Sequence, residues 1–155
     1  MKGNDKIIAF LNAQLTLELS AVDQYVIQAA MLENWGYQKL HARFAHEADD
    51  ERAHVVRLVD RILYFDGTPD VTSRDPLAIG RDPKSMLEND LAHEIVVAKS
   101  LNRGMALCRE VGDHGTRTLL EELLRDTEHD HILWLQRQLH LVHELGLERY
   151  LGEQM

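Results

Sequence analysis

The chain has 155 residues, 45% of them apolar and 6% aromatic, and acidic residues outnumber basic ones by 26 to 17. This length predicts one domain with a single core, spanning residues 1–155. The net charge of −9 argues against a nucleic-acid-binding protein, which presents a basic face. Cys108 is the one cysteine, which excludes an intrachain disulfide. There is no signal-type start and no run of about 20 apolar residues, so we expect a cytoplasmic protein without a membrane segment.

Helical periodicity divides the chain into four long segments. Apolar residues recur every three or four positions over residues 5–35, 38–65, 82–111 and from the Gly-rich turn at 112–115 to about 145. Asp82-Pro83 is typical of a helix start, and Gly36 and Gly146 indicate helix ends. A short last helix is expected over residues 147–151.

The lengths of the connections predict the topology. Short turns join the first helix to the second and the third to the fourth, which makes each pair antiparallel. The link between the second and third helices has about 16 residues and reaches about 50 Å when extended, whereas a 30-residue helix is about 45 Å long. It can therefore run the length of the bundle. We predict an all-α four-helix bundle with one long crossover and a short C-terminal helix.

Acidic residues interrupt the apolar stripe near the middle of each helix. Glu18 does so on the first helix and Glu94 on the third. The second and fourth helices each carry a Glu-x-x-His pair, and Glu47 precedes the first pair on the same stripe. The predicted metal ligands are Glu18, Glu51, His54, Glu94, Glu128 and His131.

A shared cation explains these acids better than chance does. A buried carboxylate without a partner is strongly disfavoured, and residues at i and i+3 lie about 5–6 Å apart on one helix face. Oxygen and imidazole donors suit iron or manganese, and this ligand set is that of di-iron carboxylate bundles. Two further pairs with similar spacing, Asp90/His93 and Asp126/His129, lie on polar stripes, and we interpret them as solvated or interface residues.

With these residues in place, the chain resembles the bacterioferritins of the ferritin-like superfamily along essentially its whole length. Shared segments include Gln24-Tyr25, Asn34-Trp35-Gly36 and Leu124-Arg125-Asp126. The resemblance implies a ferritin-like fold, oxidation of Fe(II) by oxygen or peroxide at a di-iron site, and storage of Fe(III) mineral in a homo-oligomeric 24-subunit cage. It also implies that the six residues are ferroxidase ligands, with Glu51 and Glu128 as bridging carboxylates. Helix four, however, carries one extra residue between Asp126 and His131.

The resemblance also implies secondary roles for five residues. His46 and Asp50 match an iron site on the inner surface of the cage, for which an ordinary polar helix face is the alternative. Tyr25, Trp35 and Trp134 would lie near the di-iron ligands, where they either supply electrons or pack in the core.

One position departs from the family pattern. In the family, a methionine after the bridging carboxylate binds haem on a two-fold axis, and here that residue is Arg52. Because a guanidinium stays charged and does not ligate haem iron, we expect the homo-oligomer to lack the usual haem. Met31 and Met86 are fallback ligands, although internal methionines are more typical of core packing.

Several alternatives to this function stay open at this point. The chain could be a cage subunit that assembles with a haem-binding bacterioferritin subunit, including one in which the partner does the oxidation. A di-manganese or di-iron peroxidase could use the same bundle. A DNA-protecting miniferritin fits less well, because that family places its iron ligands between subunits.

Overall fold

The computed structural model describes residues 2–155, and their regular structure is helical, without strands. The helices are α1 (Asp5–Asn34), α2 (Gln38–Tyr64), α3 (Pro83–Val111), α4 (His114–Asp126), α5 (Leu133–Leu145) and α6 (Leu147–Gly152). A π-helical turn, Thr127–Ile132, links α4 to α5, so that the three together form the fourth helix of the bundle. In the described part of the chain, no helix combines the length and apolarity needed to cross a membrane. The predicted all-α bundle is confirmed.

The helix ends coincide with local signals in the sequence. The side chain of Asn4 caps α1 by accepting a hydrogen bond from the amide of residue 6 at 2.8 Å. Asp82 and Ser85 form a capping box at the start of α3. Gly112 and Gly146 end α3 and α5 with φ of 77° and 80°, a conformation that glycine adopts without strain. The predicted boundaries therefore lie close to the observed ones.

The crossover, residues 65–82, runs along α1 and is held by a row of polar side chains of that helix. The backbone amides of residues 70, 75, 78 and 80 donate hydrogen bonds to Asn12, Ser20, Gln24 and Gln28 at 2.7–3.0 Å. Successive positions lie four or eight residues apart, so the row of side chains follows the length of α1 while winding slowly around it. The residue numbers increase in the same direction along the crossover and along α1. The crossover therefore spans the bundle lengthwise and makes α2 and α3 parallel.

Asp90 of α3 is buried against α1, which corrects its interpretation as a solvated or interface residue. The side-chain amides of Gln24 and Gln28 donate to its carboxylate at 2.7 and 2.8 Å. Each glutamine thus binds Asp90 through its nitrogen and the crossover through its oxygen. Burial raises the pKa of Asp90 to about 7, although the two glutamine hydrogen bonds oppose this shift.

The raised pKa of Asp90 predicts a pH-dependent contribution to stability. The folded-state pKa of about 7 exceeds the ordinary value of 3.8, so the folded chain binds more protons between these values. The stability contributed by Asp90 is fully present below pH 3.8 and is lost as the pH rises through about 7. Asp90→Asn should remove this loss and gain roughly 1–2 kcal/mol relative to wild type between pH 5 and 8. Denaturant unfolding of the metal-free proteins measures the difference, and a pH-independent difference would contradict the assignment.

Two apolar clusters fill the bundle and leave a polar layer between them. Along α1 the first cluster ends at Leu15 and the second begins at Ala21. Along α2 the second cluster ends at Ala48 and the first begins at Leu58. The layer therefore crosses the bundle at mid-height, and polar side chains within it are cut off from water.

Candidate metal centre

The polar layer gathers side chains from all four helices of the bundle. Each of the central residues exposes at most 3% of its surface; they are Glu18, Glu47, Glu51, His54, Glu94 and His131. The structure thus brings together five of the six predicted ligands and adds Glu47.

One end of the layer is built around His54. Its Nδ1 lies 3.4 Å from Glu51 Oε2 and 3.8 Å from Glu18 Oε2. Its Nε2 lies 3.2 Å from the half-exposed carboxylate of Asp126, which orients the ring. A second hydrogen bond, from Gln14 Nε2 at 3.0 Å, fixes Glu18. A histidine that presents one nitrogen to a site while a carboxylate holds the other is the usual arrangement of a metal ligand.

The other end of the layer is built around His131. Its Nδ1 lies 2.9 Å from Glu51 Oε1 and 3.2 Å from Glu94 Oε1. The hydroxyl of Tyr25 donates to Glu94 Oε1 at 2.9 Å and so fixes that carboxylate. Glu51 therefore turns one oxygen towards each histidine, as a carboxylate that bridges two ions must.

Several buried polar atoms of the layer lack a hydrogen-bond partner among residues 2–155. They include Glu18 Oε2, both carboxylate oxygens of Glu51, Glu94 Oε2 and His54 Nδ1. Two sets of three donor atoms each lie within 4.8 Å of one another: Glu18, Glu51 and His54, and Glu51, Glu94 and His131. Cations would satisfy these oxygens and nitrogens together, so the residues fit two adjacent ions with Glu51 shared.

The electrostatics of the layer also favour a bound cation. Burial raises the pKa of Glu51 well above its usual range, and the charges of Glu18 and Glu94 add to the effect. Burial lowers the pKa of His54, but Glu18 and Glu51 outweigh it and raise that pKa to about 11. Burial likewise opposes the protonation of His131, whose pKa Glu94 and other acids raise above its usual range. Glu51 and the two histidines thus hold protons that a metal ion would displace.

Glu128 lies outside the layer, which corrects its predicted placement. Its side chain is exposed, in a surface groove with Arg125 and His129. The cause is the π-helical turn, whose i→i+5 bonding accommodates one extra residue. The turn buries two side chains, those of His131 and of Thr127, which is four residues before it. Helix four therefore contains the extra residue that the sequence indicated. The π-helical turn that accommodates it leaves His131 buried and Glu128 exposed, so the two side chains do not share one site.

The remaining predicted residues lie around the layer or on the surface. His46, which is mostly exposed, lies 3.3 Å from Asp50. Arg52 points outward, with half of its side chain exposed, and pairs with Asp49 at 2.8 Å. Met86 is fully buried in the second apolar cluster and packs there as a core residue.

The three aromatic residues singled out in the sequence lie at different depths. Tyr25 is buried and contacts the layer directly through Glu94. Trp134 packs edge-on against Phe44, with the ring centroids 6.2 Å apart. Trp35 is exposed at the end of α1.

Residues outside the six predicted ligands also contact the two histidines; Asp50 Oδ2, for example, lies 3.6 Å from His131 Nε2. Glu47 Oε2 lies 2.7 Å from His131 Nε2, and Asp126 contacts His54 as described above. Glu47 is four residues before Glu51 and so shares its helix face, a signal that was readable in the sequence. The contact of Asp126 with His54 could not be read from the sequence. Asp126 directly precedes the π-helical turn, so α-helical spacing does not predict which way its side chain points.

A four-helix bundle with a lengthwise crossover and a buried carboxylate–imidazole layer defines the ferritin-like class. The family model described as a ferritin-like domain matches residues 8–145. The chain is 43% identical to the bacterial ferritins of Synechocystis sp. and Pseudomonas aeruginosa over 155 residues, covering all of this chain and 99% and 100% of those proteins. It is 39% identical to the bacterioferritin of Mycobacterium bovis over 150 residues, covering 97% and 94% of the two chains. The chain belongs to the bacterioferritin family.

Proposed function

We propose that this protein is an iron-storage ferroxidase subunit that oxidises Fe(II) in the polar layer and stores Fe(III) mineral inside a 24-subunit cage. The observation that carries the proposal is the position of Glu51. Its two oxygens lie 2.9 Å from His131 Nδ1 and 3.4 Å from His54 Nδ1, in a layer of unpaired buried donors. Membership of the bacterioferritin family supports storage as the purpose of the oxidation.

Fe(II) is the substrate, and each of the two ions has three protein donors. Glu18, Glu51 and His54 hold one ion, and Glu51, Glu94 and His131 hold the other. Two ions bound side by side supply one electron each to oxygen or peroxide. Buried carboxylates favour the more highly charged Fe(III) product, because charges attract more strongly in a medium of low dielectric constant. Gln14, Tyr25 and Asp126 keep the ligands in place through their hydrogen bonds.

Two parts of this proposal rest on the family resemblance. The first is the assembly of 24 subunits, which we infer from the resemblance to bacterioferritins. The second is a further iron site at the inner surface of the cage, formed by His46 and Asp50. The cytoplasmic location and the absence of nucleic-acid partners stay predictions from composition and charge.

Stopped-flow absorbance after aerobic addition of Fe(II) to the assembled protein tests the activity. We expect a fast phase whose amplitude saturates at two Fe(II) per chain, in an oligomer of cage size by light scattering. Oxidation no faster than in buffer alone would refute the ferroxidase. Manganese as the bound metal after anaerobic purification, together with rapid peroxide turnover, would instead establish the peroxidase.

Arg52 leads to a separate expectation about haem. Because Arg52 cannot ligate haem iron, the pure recombinant homo-oligomer should contain well under one haem per two chains by the pyridine haemochrome assay. The matched variant Arg52→Met supplies a thioether at that position and should raise the haem content. Stoichiometric haem in the wild-type homo-oligomer would contradict the expectation. Haem found only after co-expression with a methionine-bearing subunit would identify a mixed cage.

A further inference from the structure

Two buried hydrogen bonds in series link Ser100 of α3 to the metal ligand Glu18 of α1. Ser100 Oγ donates to Gln14 Oε1 at 2.6 Å, and Gln14 Nε2 donates to Glu18 Oε1 at 3.0 Å. The three residues expose at most 4% of their surface, so water does not compete for these bonds. This hydrogen-bond chain, Ser100–Gln14–Glu18, therefore ties one oxygen of a ligand to a second helix of the bundle.

The chemistry of the three groups allows only one direction for the hydrogen-bond chain. A carboxylate that binds a metal has no proton to donate, so the amide group of Gln14 must turn its nitrogen towards Glu18. The amide oxygen of Gln14 then faces Ser100, and because a carbonyl oxygen only accepts, the hydroxyl must donate. Removing the hydroxyl of Ser100 would take away that bond and so disfavour the amide orientation that serves Glu18.

The two oxygens of Glu18 consequently differ in what they can bind. Oε1 accepts from Gln14, whereas Oε2 has no hydrogen-bond partner within residues 2–155 and lies 3.8 Å from Nδ1 of His54. A carboxylate with two free oxygens can bind a cation through one of them or through both. Because Oε1 is held, Glu18 offers Oε2 alone. The ion that it shares with Glu51 and His54 then has three single donors, which leave coordination positions open.

The carboxylate at the other end of the layer is divided in the same way. The hydroxyl of Tyr25 donates to Glu94 Oε1 at 2.9 Å, and Glu94 Oε2 has no hydrogen-bond partner in the described part of the chain. Each of these two carboxylates thus has one oxygen held by a buried donor and one left for a metal. The arrangement recurs with chemically different donors, which favours a role at the metal centre over incidental packing.

We propose that Ser100 and Gln14 are positioning residues that limit Glu18 to one metal-binding oxygen and so keep a coordination position open for the oxidant. This inference rests on the proposed function. The effect is confined to one of the two ions, because the hydrogen-bond chain ends at Glu18, which belongs to that ion only.

Crystals of the assembled protein, soaked anaerobically in Fe(II), test how Glu18 binds. In wild type, Glu18 should bind through Oε2, with Oε1 still hydrogen-bonded to Gln14. In Gln14→Leu, which nearly keeps the volume of the side chain but removes the amide, Glu18 should bind through both oxygens. The ion on Glu94 and His131 should keep its ligands in both proteins.

Stopped-flow oxidation gives a second readout. Gln14→Leu should lower the rate of the fast phase by about 10–100-fold, the usual range for loss of an outer partner of a metal ligand. Anaerobic titration of this variant should still show two Fe(II) bound per chain. Ser100→Ala should lower the rate in the same direction, and Ser100→Thr, which keeps the hydroxyl, should restore it. The matched control Ser20→Ala removes another buried hydroxyl, one that holds the crossover, and should leave the rate unchanged.

The outcomes separate this inference from the proposed function. Binding of wild-type Glu18 through both oxygens, or unchanged coordination and rate in Gln14→Leu, would overturn the inference and leave the ferroxidase intact. Equal slowing by Ser20→Ala and Ser100→Ala would reduce the hydrogen-bond chain to a structural role and would also overturn it. A wild-type protein that binds no iron in the layer would overturn both.

Discussion

Replacing Glu51 with alanine is expected to abolish rapid Fe(II) oxidation while leaving the cage assembled. Glu51 is the one predicted ligand whose two oxygens face both histidines, at 2.9 and 3.4 Å, so its loss removes a donor from both ions. Loss of an outer partner of a metal ligand already lowers activity by about 10–100-fold, so loss of a shared ligand should lower the rate by at least about 100-fold. Stopped-flow oxidation measures the rate, and light scattering confirms assembly.

Glu128→Ala is the matched control for Glu51→Ala. It removes the other carboxylate that the family resemblance assigned as bridging, but the structure exposes that side chain outside the layer. We expect its oxidation rate to equal that of wild type. If Glu128→Ala lowered the oxidation rate as much as Glu51→Ala, the result would support the six-ligand site predicted from the sequence. It would contradict the exposed position of Glu128 outside the layer.

The largest expected effect on stability is that of Gly80→Ala. An added Cβ at position 80 would lie 2.4 Å from the backbone nitrogen of Met86 and 2.6 Å from its Cα. These atoms belong to the first turns of α3, which the capping box at Asp82 fixes, so they cannot move aside without losing that cap. The amide of residue 80 also donates to Gln28, so a shift of the crossover loses that bond too. We expect a destabilisation of about 3 kcal/mol.

Denaturant unfolding of the metal-free proteins measures the effect of Gly80→Ala. Gly152→Ala serves as the control, because nothing lies within 4 Å of a Cβ added there. The control should change the free energy of unfolding by no more than about 1 kcal/mol. Equal unfolding midpoints for the two variants would contradict the prediction, because they would show that the crossover can move at position 80 without a loss of stability.

The fold was predictable because its signals are local. Helical periodicity, the Asp82-Pro83 start and the glycines at helix ends act within a few residues, and the link is long enough for a lengthwise crossover. The attachment of the crossover was not predictable in the same way. Asn12, Gln24 and Gln28 read as ordinary polar residues until the structure shows which backbone amides they bind, and Asp90 is buried by that same tertiary packing.

The candidate site was predictable where α-helical spacing holds. Glu18, Glu51 and Glu94 interrupt apolar stripes on regular helices, so their burial followed from the pattern. This spacing does not hold in helix four, because a π-helical turn changes which side chain faces inward. Thr127 is buried there, where Glu128 was expected to be. The extra residue was visible in the sequence, but periodicity alone did not determine which side chain would turn inward.

The most direct test of the central claim is to locate iron at the bundle centre by anomalous diffraction from Fe(II)-soaked crystals of the wild-type protein. We predict two peaks about 3.5–4 Å apart, one on each side of Glu51. The first should lie within reach of Glu18 and His54, and the second within reach of Glu94 and His131. A centre that holds no ion, or one whose ions contact Glu128 in place of Glu51, would contradict the account.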